Sequence, residues 1–481
     1  MLSLVDSLVK RAYQYLLPLV CLLRLDVLKV GTRTTPLSDI KSSETSVSNK
    51  QVSKHASALA SINGATENDP VLAQLKHLVD TDGAGTWPPR ASHGDTWPSA
   101  LRPYHEIYLE VAPFLATEDI VLDDSVNAQR IDSFRERLTT LLTSRVDLPS
   151  AVETLSAAED NMDNEAFHFA SYNGFSACIA TLRHAFRWGV IPVVRAAQEQ
   201  KLIDFPVELD LPWEYIRRRY GFTSQGGNVM TNYFCNFDEQ DRIVYQVNGR
   251  LTERIQTAEY NFAHIFIAVE RLALPIYLEI TNAITHYTHG NNPACLSSLR
   301  RINTQFSNPP RIFYRTLNDT HISPEIWMRY VQGFPGWAAG EVISGEYTEY
   351  DGLSGSHSLF FRVADAFLGI PAYFSEESNR RYVPAAQRGF CDAIREFGLR
   401  EKAKESGEME IEREIERMAL QLRTFRCTHR SRIHKYLSAP APERLIMTAG
   451  KSVLESDEIP EIETAITHLG GILRNRIKET R

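Results

Sequence analysis

The sequence predicts an all-α protein, and three observations carry that prediction. Apolar residues recur at steps of three and four through long stretches, most clearly from Ile411 to Tyr436. Strand-like alternation is confined to one short candidate hairpin, RIVYQVNGR at 242–250, with Asn248-Gly249 as its turn. The composition, 43% hydrophobic and 23% charged, is that of an ordinary soluble globular chain. A length of 481 residues exceeds one small core. The expected organisation is an N-terminal apolar segment and flexible linker (1–70), a smaller, mostly helical domain (71–225) and a larger helical domain (226–481).

A formal charge of −8 gives no electrostatic footprint for nucleic acid. The six cysteines are scattered, without a CxxC pair, which argues against a zinc cage or disulfide framework and suits a reducing, cytoplasmic setting. The apolar run at 12–23 is too short to span a bilayer and is closed by Arg24 and Asp26. It reads as an amphipathic helix docking on the protein itself, with membrane contact by residues 1–30 the minor alternative. Residues 31–66, rich in Ser, Thr, Asn and Lys, read as a linker.

The Trp-, Pro- and Gly-dense segment from Asp82 predicts an irregular loop leading into a helix near Tyr104. His93 and His105, within it, have no metal-ligand spacing. Helical patterns follow to about residue 205, and ELDLPWEYIRRRYGF predicts a helix stopped at Gly221. TAEYNFAHIFIAVERLALP, Thr257 to Pro275, is apolar on nearly every side, as a helix central to a core or lining an apolar cavity would be. A further helix precedes Asn291. The segment after Tyr436 reads as loop, and a basic helix closes the chain.

Two features bear on chemistry. In the stripe Ile411, Ile415, Met418, Leu422, Phe425, His429, Ile433, Tyr436, an imidazole stands where an aliphatic residue is expected, with Arg426 three positions before it. An inward His429 is either a satisfied core histidine or a metal ligand. His434 falls outside the stripe. The second feature is the loop Gly352, Ser354, Gly355, Ser356, Ser358, which runs into an apolar helix holding Asp365. Such a loop either caps the helix or lets a flat ligand approach the backbone and meet donors for its anionic groups. GxSxG, HExxH and GxGxxG are absent. An axial imidazole, nearby arginines and a small-residue loop are the outline of a haem pocket; a helical binding protein is the other reading.

Several stretches together resemble the indoleamine 2,3-dioxygenase family of haem enzymes. DGLSGSHSLFFRVADAFLGI (351–370) resembles its small-residue loop and Asp-containing helix. RRYVPAAQRGF and RTFRCTHRSRIHKYL are similar to two further family segments, in the same order, and the resemblance spans roughly 80–481. It implies haem b as cofactor, carried on a large helical domain with a smaller N-terminal one. It also implies dioxygen as co-substrate, and a small indole substrate such as L-tryptophan opened across C2–C3 to an N-formylkynurenine-type product. A monomer without nucleic-acid partners is expected.

Carried over residue by residue, the resemblance makes His429 the iron ligand and pairs Arg426 with a haem propionate and with Asp365. It lays Ser354, with the loop glycines Gly352 and Gly355, against the macrocycle, and places Phe262 on the distal side. The relatives' distal serine or histidine falls on Phe266, or on His264 after a two-residue shift. The substrate-carboxylate arginine falls on Met328 without a gap and on Arg329 with one deleted residue; Arg329 is the candidate. Gly470 and Gly471 resemble the glycine pair of a mobile loop. Ser323 and Pro324 replace two aromatics, and His357 replaces the usual Gln. The haem side is thus better preserved than the substrate side. A haem enzyme of the same fold acting on a different aromatic or amine, and a non-catalytic helical protein, stay open.

Overall fold

The helical periodicity is realised along most of the chain. The computed structural model describes residues 51–65, 69–91, 94–160, 167–350, 352–445, 447–448, 451–452, 471 and 473–480. In chain order the longer helices are α1 (Pro70–Thr81), α2 (Arg102–Leu115), α3 (Asp124–Arg145), α4 (Leu148–Asp160), α5 (Phe169–Trp188) and α6 (Val207–Tyr220). They continue with α7 (Glu253–Thr288), α8 (Asn292–Gln305), α9 (Asn308–Thr316), α10 (Leu359–Phe367), α11 (Ala385–Phe397) and α12 (Met409–Leu437). The fold is all-α: among the described residues, the sheet content is two two-stranded pairs. Among the same residues no helix is long and apolar enough to cross a membrane.

Contacts divide the chain into Met1–Ala56 and a second unit, Ser57–Arg481. Residues 1–50, including the apolar run, lie outside the described residues. Part of the expected linker is ordered, because 51–63 is helical and buries Ala58 and Ile62. The segments expected as separate domains, 71–225 and 226–481, share one core within the second unit. Helix α5 is the reason, since every residue from Ser171 to Trp188 is buried. Its Arg187 donates to the carbonyls of Ala197 (2.7 Å), Trp337 (2.9 Å) and Ala338 (3.1 Å), crossing the expected boundary. The helix ends at Gly189 (φ 66), where a Cβ would sit 2.9 Å from Ile131.

Helix α7 is longer than the sequence suggests. The pattern predicts a stop at Pro275 and a separate helix before Asn291, yet one helix of 36 residues runs through the proline. A proline in a helix interior removes one hydrogen bond. Packing on both sides of it, with Ala273, Leu274, Ile276 and Tyr277 all essentially inaccessible, keeps the axis continuous. Glu270, one turn before, is buried and accepts from Tyr277 Oη (2.7 Å), Trp87 Nε1 (3.1 Å) and the Phe360 amide (2.9 Å). That carboxyl, pushed up to about 6 by burial, ties the Trp87 loop and the start of α10 to α7.

The expected hairpin at 242–250 does not form; only an isolated bridge joins Phe237 and Ile243. Side chains satisfy its backbone instead. Asn236 takes both the amide and the carbonyl of Tyr245, and the Glu259 carboxylate accepts from the amides of Val247 (2.8 Å) and Asn248 (2.9 Å). The hairpin lies at β1 (Ala339–Ile343) and β2 (Glu346–Tyr350), turning at Ser344 and Gly345, both with positive φ. That is the two-residue geometry that suits a twisted pair of strands.

His184 is fully buried on α5; its Nδ1–H donates to Phe334 O and its Nε2 accepts from the Gly227 amide, both at 2.8 Å. Burial, helped by Arg183 and Arg187, pushes its pKa down to about 3 from 6.5. Below pH 6.5 the unfolded chain binds a proton that the folded chain refuses, so stability falls with pH down to the folded value. This group should remove about 1 kcal/mol per pH unit in that window. Urea unfolding at pH 7, 6 and 5 should therefore show a shallower pH slope for His184→Asn than for wild type.

Candidate functional site

The apolar stripe of α12 changes company along its length. Ile411, Ile415, Met418 and Leu422 are buried in the helical core. From Phe425 onward the same face borders a cavity of about 490 Å³, which Phe425, His429, Ile433 and Tyr436 line with the flanking Arg426 and Arg432. That is the size range of small-molecule and cofactor sites. A second wall comes from α7, through Phe262 and Phe266, with Tyr233 stacked on Phe266 at 4.2 Å. A third is the loop Leu353, Ser354, Gly355, Ser356 followed by Phe361, Arg362 and Asp365 of α10. Leu473 and Arg476, in the helical residues 473–479, complete it.

Aromatic rings connect the walls. Phe266 meets Phe313, Phe313 meets Phe425, and Phe425 lies nearly parallel to the imidazole of His429 at 5.7 Å. Trp327 bridges Phe262 and Tyr436 edge-on. Such rings present flat, apolar, polarisable surface, suited to a planar ligand.

His429 has no hydrogen-bond partner among the described residues, and its accessible side faces the cavity. Burial pushes its pKa down to about 4 from 6.5. At neutral pH it is therefore an uncharged imidazole with a lone pair that no protein donor occupies. The reading as a satisfied core histidine fails, since nothing in the described chain satisfies it.

One turn earlier on α12, Arg426 donates to Asp365 at 2.5 Å and also bonds Thr480. Arg476 bonds the other Asp365 oxygen, and it donates to Pro371 O (2.6 Å) and Glu479 (2.7 Å). Burial pushes the Asp365 carboxyl up, against the pull of Arg426 and Arg476. The carboxylate thereby locks α10, α12 and the C-terminal residues together around the cavity. The pairing of Arg426 with Asp365 is legible in the sequence; Arg476 is not, because nothing in a basic terminal helix singles out one arginine.

The small-residue loop carries its own capping geometry. Ser354 Oγ accepts from the Ser356 amide (3.3 Å), and His357 Nδ1 accepts from the Ser354 amide (3.0 Å). A Cβ on Gly355 would meet nothing within 4 Å, so a side chain there would project into open space. His357 is buried between the rings of Phe374 and Tyr382 instead of facing the cavity.

Seven predicted residues thus converge on the cavity: Phe262, Phe266, Ser354, Gly355, Asp365, Arg426 and His429. Gly352 is buried beside it without lining it. Arg329 does not reach it. Residues Trp327–Val331 form a π-turn, closed by Gln332 N–H to Trp327 O at 2.8 Å, which inserts one residue into the helical repeat. Trp327 lines the cavity, while Arg329 lies 3.4 Å from Glu325 and 3.5 Å from Glu443. Met328, the other candidate, packs against Leu437 and Ala439. His264 is stacked on Tyr260, 3.8 Å from Asp241, so Phe266 lines the cavity and His264 does not. Gly470 lies outside the described residues, and Gly471 begins the last helical stretch without lining the cavity. Arg476, Trp327 and Tyr233 are lining residues that sequence reasoning does not find.

Fold and site together define an all-α protein whose aromatic cavity holds one neutral, unpartnered imidazole. No protein-family model matches the sequence, and no curated protein matches it. Among the described residues, no group of three or more His, Cys, Asp or Glu side chains is arranged to hold a metal ion.

Asp365 sits between two buried guanidiniums, so removing it strands two charges, whereas removing Arg476 leaves the Arg426 pair intact. Asp365→Ala should cost about 3–5 kcal/mol in chemical denaturation and Arg476→Ala less. The double variant should cost clearly less than the sum of the two, since both changes break one contact.

Proposed function

We propose that this chain is a haem-dependent dioxygenase of an indole-type aromatic, with haem b held on His429. The observation that carries the reading is the lone neutral imidazole of His429 facing an aromatic cavity. A single histidine suits a metal that brings its other ligands with it, as a macrocycle does. The rest of the lining fits the same group. Flat rings suit a planar ligand, Gly355 leaves open space beside the lining, and Ser354 and Arg426, in the same lining, carry donors suited to anionic groups.

When bound, the haem supplies the oxygen chemistry, in which both atoms of dioxygen enter across the indole C2–C3 bond. The chain's part is placement. Tyr233, Phe262 and Phe266 form the apolar wall against which an indole would lie, and they exclude water from it. The Asp365 junction with Arg426 and Arg476 fixes α12 against α10, which holds the His429 ring in register with the loop at 353–356. No side-chain acid–base pair is required of the distal side, and Phe266 offers none.

A second reading, a haem enzyme of the same fold acting on a different aromatic or amine, is favoured by one observation. Neither candidate for a substrate-carboxylate partner lines the cavity, since Arg329 pairs with Glu325 and Glu443, and Met328 is buried. L-tryptophan would need its carboxylate bound elsewhere.

Purified protein supplemented with haem should show a Soret band that His429→Ala loses or shifts to that of weakly held haem. Absence of the band in haem-supplemented wild type would sink the reading. Under ascorbate reduction, L-tryptophan should yield an N-formylkynurenine-type product. Haem binding without that product would leave the second reading in its place. Arg329→Ala should leave the apparent affinity for tryptophan within about twofold, as expected of a side chain making no ligand contact.

A further inference from the structure

We propose that Arg362 is a carboxylate-binding residue of the cavity, a role that no motif in the sequence assigns to it. Among the described residues, five arginines line the cavity: Arg362, Arg395, Arg426, Arg432 and Arg476. Four are engaged by the protein. Arg395 donates to Ile370 O (2.9 Å), and Arg432 donates to the carbonyls of Tyr314 (3.0 Å) and Leu317 (3.1 Å). Arg426 and Arg476 share Asp365. Arg362 alone makes no hydrogen bond, ion pair or ring contact with the described residues, and its Nη1 is shielded from solvent without a partner.

The contrast with deeply buried arginines sharpens the point. Arg183 and Arg187 are inaccessible and surrounded by acceptors: Asp210 and the carbonyls of Leu209, Gln225, Trp337, Ala197 and Ala338. At both of these positions the fold provides partners. At Arg362 it provides none, and a shielded guanidinium nitrogen without an acceptor is destabilising. Asp392 lines the same cavity without forming an ion pair with Arg362, and the cationic Arg388 nearby raises the local positive potential. Arg362 lies on α10 one turn before Asp365, with Ser354, Gly355 and Ser356 in the same lining. A planar guanidinium fork matches a carboxylate in bidentate fashion.

A carboxylate could come from two sources, a haem propionate or the acid group of a small aromatic substrate. The first deepens the haem reading and rests on it; the second does not need it. The test uses the full chain as wild type, Arg362→Met and Arg362→Lys. In the first arm, haem and haem dimethyl ester are titrated by Soret absorbance. In the second, indole-3-propionate and its methyl ester are titrated by intrinsic fluorescence without haem.

For one acid–ester pair, wild type should prefer the acid by about ten- to a hundredfold. Arg362→Met should abolish that preference while leaving ester affinity unchanged, and Arg362→Lys should restore part of it. The arm in which this happens identifies the source. Because Arg362 has no partner to strand, Arg362→Met should unfold at the same or a higher temperature than wild type. Equal acid preference in wild type and Arg362→Met in both arms would overturn the assignment. A wild type that binds no haem sinks the haem reading alone, and the second arm then decides Arg362 by itself.

Discussion

The buried carboxylate of Asp365 is the constraint on which the cavity depends. Two guanidiniums from different parts of the chain meet it, Arg426 on α12 and Arg476 near the C-terminus. An ion pair of this kind adds little net stability over apolar packing, because desolvation consumes most of the attraction. Its effect is geometric. It accepts one arrangement of α10, α12 and the terminal residues and penalises every other, and that arrangement puts Arg426 one turn from His429. Glu270 does the same work at the other end of α10, through the Phe360 amide. The loop and helix from 353 to 367 are thereby pinned at both ends by buried carboxylates, which is why a cavity can persist beside them without collapsing.

Polar satisfaction also decides which groups remain available to a ligand. The buried donors of Arg183, Arg187 and His184 find acceptors within the chain. His429 and Arg362, an uncharged imidazole and a fixed cation, face the same cavity without hydrogen-bond partners among the described residues. On the proposed function, a metallated macrocycle with carboxylate arms would engage both, which is the physical argument for reading the two groups together.

The sequence made the fold class and one wall of the cavity legible, for a simple reason. The 3.6-residue period of α12 records which face is inward, so His429 and Phe425 were marked by spacing alone. The resemblance at 351–370 then brought Asp365 and Ser354 to the same place. What escaped was set by non-local satisfaction. Pro275 reads as a stop, yet α7 continues because its surroundings are packed. The segment 242–250 reads as a hairpin, yet Asn236 and Glu259 capture its backbone, while the Ser344-Gly345 turn forms the pair. Arg476 could not be chosen among basic residues without knowing that Asp365 had a second oxygen to fill.

The π-turn at Trp327–Val331 shows how one residue changes a site's chemistry. Each residue advances a regular helix by about 100°, so one extra residue turns the following side chains by that much. Here Trp327 stands at the cavity wall between Phe262 and Tyr436, and Arg329 lies beside Glu443. Among the described residues of the lining, the cation without a hydrogen-bond or ion-pair partner sits on α10 at Arg362. On the proposed function, selection between neutral and anionic aromatics turns on these two segments. One presents Trp327 to the cavity, and the other presents Arg362 and is fixed by Asp365.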